Sequence, residues 1–423
     1  FRSCYAGEEE HGSVRLPRSA GGKGRREADE ANKPAEVEAI EAFLLSQAEF
    51  RHNVITHHCE IRWTEEAGFL PLTDRDVNTL WGRMNKTVGR VYLTDIYNVI
   101  HSEFVPLFNP FQSYFDHLPS WDGVSDPIGD LADTVHVKSD QAEFRDYFRK
   151  WFVGILPALL DDTVVNHEIL VLIGEQGLYK TTWFNFLLPP ELRCYFYTKT
   201  NSDRLNKDDL FSLTEFALIC FEELDGMRPA ELNQLKAMVT MPYVNERAAY
   251  GRNKERHPHI ASFCGTGNNV QFLTDPTGNR RWLPFEVSQI RDPHLHAIPY
   301  ELVYSQAYAL WKSGFCHWFS QEEIRVLNTH NSRFEVPNLE EDLIRTHFRK
   351  PFEGETGIFV TAADILEQIS SCLRYPLSPN KIGRIMAGLE FESIRYRGKR
   401  GYVTVKKTGE DIDRERRSGA LGL

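Results

Sequence analysis

The stretch "VLIGEQGLYKTTWFNFLL", Val171–Leu188, decides the fold. Leu170–Ile173 is a short, fully apolar run of the kind that forms a strand buried on both faces. A glycine-bearing turn follows, then Lys180-Thr181 and an apolar run of helical character. This is the layout of a phosphate loop, in which backbone N–H groups point at a phosphate, a lysine spans the β/γ-phosphates and a hydroxyl takes Mg2+. Gly174, Lys180 and Thr181 keep their places in G-x-x-x-x-G-K-[ST], but Tyr179 stands where the pattern has its second glycine. A side chain is uncomfortable there if the position needs an unusual backbone or a close approach. The expected nucleotide contacts are Gly174, Glu175, Gln176, Gly177, Leu178, Tyr179, Lys180, Thr181 and Thr182, with Thr181 also at the metal. The plain alternative is an ordinary glycine-rich strand–helix turn, so the residues that accompany the loop carry the decision.

A phosphate-loop motor needs an acid at the end of a neighbouring strand, to hold Mg2+ and polarise water. "FALICFEELDG" supplies a strand, Leu218–Phe221, then the candidate acids Glu222 and Glu223, with Asp225 two residues on. Glu222 is also expected as a metal ligand. "IASFCGTGNN" is an apolar strand ending in small residues and Asn268-Asn269, and the Asn268 amide suits a sensor of the γ-phosphate or the attacking water. "DPTGNRRWLPFEV" sets Arg280 and Arg281 between a turn and another strand, as candidates for an arginine finger delivered to a neighbouring subunit. Taken singly these are a strand meeting solvent, a turn and a solvated pair. Their order along the chain favours a site.

With "WDG" (Trp121–Gly123) and "YGR" (Tyr250–Arg252), these motifs resemble the virulence-associated E family over about residues 50–290. The resemblance implies a P-loop ATPase related to superfamily 3 helicases, of a type often encoded by phages and mobile islands. It implies an AAA+-like core, ATP and Mg2+ as cofactors, a homo-oligomer of hexameric type, single-stranded or forked DNA as substrate, and a primase or other replication partner. By residue, it implies phosphate and Mg2+ binding at Lys180 and Thr181, the acid at Glu222 or Glu223, the sensor at Asn268 and the finger at Arg280 or Arg281. The chain departs from the pattern at Tyr179, which bears on turnover rather than on phosphate binding.

The fold class read from the sequence is α/β: a P-loop core with a parallel sheet over 166–330, where short apolar segments alternate with helices. A helical domain is expected before it, over 36–165, and a winged-helix-like domain after it, over 338–407. Residues 1–35, polar and without periodicity, read as a disordered leader, and 408–423 as a flexible tail. The chain opens on Phe1, which reads as a fragment or an over-extended frame and leaves room for a primase domain upstream. No apolar run nears the roughly 20 residues of a membrane span, and the leader has no apolar signal core. Seven scattered cysteines without a C-x-x-C pair read as reduced thiols of a cytoplasmic protein. His57-His58-Cys59 lies beside strand-like sequence and reads as structure rather than as a metal centre.

Net charge is −11, yet charge distribution matters more than its sum. Between acid and sensor runs "VNERAAYGRNKERHPH", whose Arg247, Tyr250, Arg252 and Lys254 are expected on a hairpin facing DNA, the cations on phosphates and the ring on a base. Residues 343–407 carry 12 Lys/Arg against 6 Asp/Glu. There, Lys381 and Arg384 on a second helix and Lys399 and Arg400 on a wing are the expected DNA contacts.

Overall fold

The structure, a computed structural model, describes residues 35–200, 207–246, 255–274, 279–336, 339–352, 354–370 and 378–411. The leader up to residue 34, the tail from 412, and Arg247, Tyr250, Arg252 and Lys254 lie outside the described residues.

The chain begins with α1 (Val37–Gln47), β1 (Ala48–Asn53), β2 (His58–Trp63), β3 (Leu70–Pro71), α2 (Asp74–Thr87), α3 (Leu93–Ile100) and β4 (Leu107–Phe108). Thr73 caps α2 in a reciprocal box with Asp76. Helix α3 is capped at Tyr92, whose N–H donates to Asp95. The four strands form one sheet in the order β3-β2-β1-β4. Ile40, Leu44, Phe50, Ile61, Leu80 and Ile96 close a core of their own beneath it.

The stretch 36–165 is therefore not a helical domain. Its first half is this α/β unit, because Phe50 and Ile61 face the same core across a two-strand register. Its second half belongs to the central body. There α4 (Pro110–Asp116), α5 (Pro127–Ala132), β5 (Val135–Val137) and α6 (Gln141–Leu160) precede β6 (Ile169–Ile173). Helix α6 carries Phe144, Phe148, Trp151, Phe152, Ile155 and Leu156 fully buried across one face of the central sheet. Each such side chain contributes on the order of 2–3 kcal/mol. Trp151 donates its indole N–H to the Phe263 carbonyl at 2.9 Å, which ties helix to sheet.

After β6 come α7 (Lys180–Phe186), β7 (Phe196–Lys199), α8 (Lys207–Glu215), β8 (Leu218–Phe221), α9 (Pro229–Val239), β9 (Tyr243–Glu246), β10 (Glu255–Pro258), β11 (Ser262–Gly267) and β12 (Trp282–Ile290). Among the described residues the central sheet has six strands in the order β5-β12-β6-β11-β8-β7. All neighbours are parallel except β5 on β12. The mixed α/β class with a parallel sheet is thus present. Chain order reverses about β6: β7, β8 and β11 lie to one side of it and β12 to the other. The carboxyl end of such a switch strand is where open α/β sheets bind ligands. Strands β9 and β10 pair antiparallel as a hairpin outside this sheet, and the Arg256 guanidinium stacks on Tyr243 at 3.7 Å.

Helices α10 (Tyr300–Lys312) and α11 (Gln321–Asn331) complete the central body. The remaining elements are α12 (Leu339–His347), β13 (Phe348–Arg349), β14 (Ile358–Val360), α13 (Ala362–Ser370), α14 (Pro379–Gly388), β15 (Ser393–Tyr396) and β16 (Lys399–Lys406). They enclose a separate core of Ile344, Phe348, Ile365, Ile369, Ile382 and Met386. Ser378 caps α14, and the β15–β16 turn runs through Arg397 and Gly398, both with positive φ.

Candidate active site

The loop from Gly174 to Tyr179 joins β6 to α7 at the carboxyl end of the sheet. Gly174 has no room for a side chain: a Cβ there would lie 2.9 Å from the Val287 carbonyl of β12. Gly177 has φ +85° and Tyr179 has φ +59°, ψ +18°. The second-glycine position therefore does need a left-handed backbone, and here a tyrosine adopts it. Such a conformation costs roughly 1–2 kcal/mol in a residue with a Cβ. Tyr179 remains 41% exposed.

Helix α7 then delivers Lys180 inward. Its ammonium donates to the carbonyls of Gly174 at 2.6 Å and Glu175 at 2.7 Å, and lies 3.5 Å from Asn268 Oδ1. Burial lowers its pKa, while the Asp225 charge pulls the other way. The next residue, Thr181, donates its hydroxyl to Glu222 Oε1 at 2.8 Å.

Glu222 does not come from a neighbouring strand. Strand β11 lies between β6 and β8, so the acid reaches the loop across one intervening strand. The end of β11 is small enough to permit this: Gly265 and Gly267 face the acid turn, and a Cβ on Gly265 would collide with Leu224. Glu223 follows with φ +54°, ψ +44° and an exposed side chain, and it lines the same cavity as Glu222. Asn268 follows β11 directly, so lysine, hydroxyl, acid and amide meet over three strand ends.

Gln176, Tyr179, Lys180, Thr181, Glu222 and Asn268 are among the walls of a cavity of about 350 Å³. Size alone does not select it. A larger cavity, about 760 Å³, lies where the first sheet meets the central body, lined by Arg51, Glu60, Phe69 and Tyr195 among others. That one has no loop of inward N–H groups and no lysine. The smaller cavity has a left-handed loop, a buried ammonium and a hydroxyl–carboxylate pair.

Arg280 and Arg281 are not at this site. They precede Trp282, which pairs with Ile169 at the start of β6, whereas the Gly174–Tyr179 loop follows Ile173 at its end. Strand rise sets the two places about 15 Å apart. Arg280 is exposed, Arg281 is partly buried, and the Arg281 Nε atom is buried without a hydrogen-bond partner among the described residues.

In the C-terminal unit Arg384, Lys399 and Arg400 are exposed, and Arg400 donates to the Ser393 hydroxyl at 2.8 Å. Lys381 is engaged within the unit by an ion pair with the buried Glu340. Two residues at the carboxyl end of the central sheet had no role in the sequence reading, Asp225, which it named, and Lys199, which it did not. Asp225 accepts from the backbone N–H groups of Asn268 and Asn269, and Lys199, in a buried ion pair with Asp209, offers its carbonyl to the Glu222 N–H at 2.9 Å.

Residues 116–336, just over half of the chain, match the family described as the virulence-associated protein E-like domain. The chain belongs to that family. The match spans α6, the Gly174–Tyr179 loop, Lys180, Glu222, Asn268 and the arginine pair, and stops before the C-terminal unit. No curated protein matches the chain. Among solved structures, the apo structure of NrS-1 C terminal region (305-718) is 11% identical, with TM-score 0.45, covering 88% of this chain and 99% of that one. An A form apo structure of the same region is 12% identical, with TM-score 0.44 and coverages of 88% and 99%. Among the described residues no helix is long and apolar enough to cross a membrane.

Proposed function

We propose that this chain is an ATP-dependent, DNA-translocating motor of the ring-forming superfamily 3 type, with an AAA+-like P-loop core and a winged-helix C-terminal domain, acting in phage or mobile-element replication. The observation that carries the reading is the convergence of Lys180, Thr181, Glu222 and Asn268 on one loop-lined cavity.

The residues fit a magnesium nucleotide. The Thr181 hydroxyl and Glu222 carboxylate form a hard-oxygen pair of the kind Mg2+ takes. The Lys180 ammonium, parked on two loop carbonyls, is placed to turn to a phosphate. Gly174 and Gly177 leave the backbone bare for close approach. Bound ATP with Mg2+ would supply the phosphoryl group and the charge that polarises it. In this reading Lys180 binds the β/γ-phosphates, Glu222 orients the attacking water and accepts its proton, and the Asn268 amide senses the γ-phosphate. Glu223, exposed but lining the same cavity, remains the alternative for the acid.

The arginine pair stands a strand's length from the loop of its own chain. In a ring it would serve the next subunit, which makes a homo-oligomer, hexameric in this type, part of the proposal. Forked DNA would contact the β9–β10 hairpin, Arg384 and the wing residues Lys399 and Arg400; the ion pair to Glu340 argues against Lys381. A second reading, a nucleotide-gated DNA-binding assembly without unwinding, is favoured by the strained backbone at Tyr179. The test is ATP turnover with and without single-stranded DNA, followed by strand displacement on a forked duplex. Turnover stimulated by DNA, with displacement, supports the motor. DNA binding that depends on ATP without displacement supports the second reading, and a chain that binds no ATP defeats both.

A further inference from the structure

Two glycines on one strand face a turn on another. In β11, Gly265 and Gly267 are two residues apart and so point to the same side. A Cβ on Gly265 would collide with Leu224, and one on Gly267 would sit 3.1 Å from Asp225 Oδ1. Leu224 and Asp225 belong to a single 3-10 turn, Leu224–Gly226, which exists because Glu223 takes a left-handed backbone. The acid turn is thus folded back onto the end of the amide strand, and bare backbone there lets it come close.

At that contact each oxygen of the Asp225 carboxylate takes one backbone donor. Oδ1 accepts from the Asn268 N–H at 3.1 Å and Oδ2 from the Asn269 N–H at 3.0 Å. The same Asn268 presents its side-chain oxygen to Lys180 at 3.5 Å. Asp225 also helps hold the charge on Lys180. Asp225 thus faces backbone donors, whereas Glu222 faces the Thr181 hydroxyl.

We infer that Asp225 is a positioning residue: it clamps the Asn268–Asn269 backbone to the acid turn, so that the Asn268 amide, Lys180 and Glu222 keep one geometry. The clamp stands on the contacts above; its effect on turnover rests on the proposed ATPase reading. Asp225 touches no reacting atom. It acts through Asn268, and its loss should impair the chemical step more than nucleotide binding.

The test has two arms. The first is amide hydrogen exchange of the full chain without nucleotide. In Asp225→Ala, exchange at Asn268 and Asn269 should rise about tenfold or more, the range for losing hydrogen bonds to a charged acceptor. Amides of β6 should keep their wild-type rates. Asp225→Asn, isosteric and with one acceptor oxygen left, should fall between the two and keeps the arm readable should the alanine variant not fold. Unchanged exchange at both amides overturns the inference. The second arm is kinetic. Asp225→Ala should lower kcat about tenfold or more with the ATP Kd within about threefold, and adding Asn268→Ala should cost little more, because the two act as a unit. Fully additive losses, or a loss confined to Kd, overturn it. A wild type that hydrolyses nothing rejects the ATPase reading, and the exchange arm still decides the clamp.

Discussion

The two ends of the central sheet are built on opposite terms. At the carboxyl end, β6, β8 and β11 run out into Gly174, Glu222 and Asn268, and the backbone is left-handed at Gly177, Tyr179 and Glu223. At the amino end the strands start from packed ground. Asn166 is buried and donates to the Trp151 carbonyl and the Ser262 hydroxyl, and His259 is 1% exposed. Strain and convergent polar groups sit at one end, and packing at the other. Yet the arginine pair belongs to the packed end, next to Trp282. The contrast teaches that one chain holds the lysine, hydroxyl, acid and amide together but keeps its guanidinium groups a strand's length away.

The strongest way to break that comparison is to remove each end in turn. Arg281→Ala should lower ATP turnover by ~10³–10⁵ while ATP binding persists. Lys180→Ala should lose binding and turnover together. If each arginine serves a neighbour, mixing the two inactive variants restores turnover, since some interfaces then pair an intact loop with an intact arginine. Loss of ATP binding in Arg281→Ala, or no recovery on mixing, would put both ends in one subunit's account and end the shared-site reading.

Next in size is the buried ion pair beside the acid. Lys199 and Asp209 have side chains only 7% exposed each, and the Lys199 carbonyl holds the Glu222 N–H. Removing one partner of a buried pair costs up to about 3–5 kcal/mol, and less where the other keeps further contacts, as Asp209 does. Lys199→Met should show that loss in urea unfolding. An unchanged midpoint would mean that the other contacts of Asp209 hold its carboxylate without the lysine.

The amino end can be probed by pH. His259 lies in a buried niche where Nδ1 faces the Met241 carbonyl at 2.6 Å, and burial depresses its pKa from 6.5 to about 4. The unfolded chain takes up the proton near pH 6.5, whereas the folded chain resists until near 4. Stability from this group is therefore full above about 6.5 and is lost as pH falls towards 4, by up to about 3 kcal/mol. Glu168, pushed up to about 7 by burial, works in the opposite sense over the same range. The measurement is thus the difference in unfolding free energy between wild type and His259→Gln at pH 7 and pH 4.5. Equal slopes in the two proteins would show that the niche opens to water.

Much of this was legible because the signals were local. The strands of "EILVLIG", "FALICFEEL" and "IASFCGTGN" are short apolar runs, and Lys180, Glu222 and Asn268 follow them directly. What was not legible needed strand order. Nothing in the spacing of Lys180 and Glu222 says that β11 inserts between their strands, so the acid was expected next door. Strand-like sequence was legible around His57–Cys59, but not its pairing into a sheet, since β1 and β2 carry charged residues such as Glu49 and Arg62 on their exposed faces. Asp225 was visible but without a role, since its partners are backbone groups that only the fold brings near. The two glycines of "GTG" carried the available hint: small residues two apart at a strand end announce something pressed against that face.

The smallest effect concerns Tyr179, where the carboxyl end departs most plainly from the expected pattern. A tyrosine with φ +59° and no capping bond at the start of α7 is held there by the surrounding loop. Tyr179→Gly removes the Cβ strain but loosens the unfolded chain, and the two terms oppose. The balance should be a gain of about 0.5–1 kcal/mol, or about 2 °C in melting temperature. If the strain is merely tolerated, the variant melts higher and turns over ATP at the wild-type rate or faster. If the ring positions the loop for phosphate, the variant melts higher but turns over more slowly, and the second result would make the left-handed tyrosine part of the mechanism. A lower melting temperature would contradict the strain argument itself, because a glycine adopts that backbone freely.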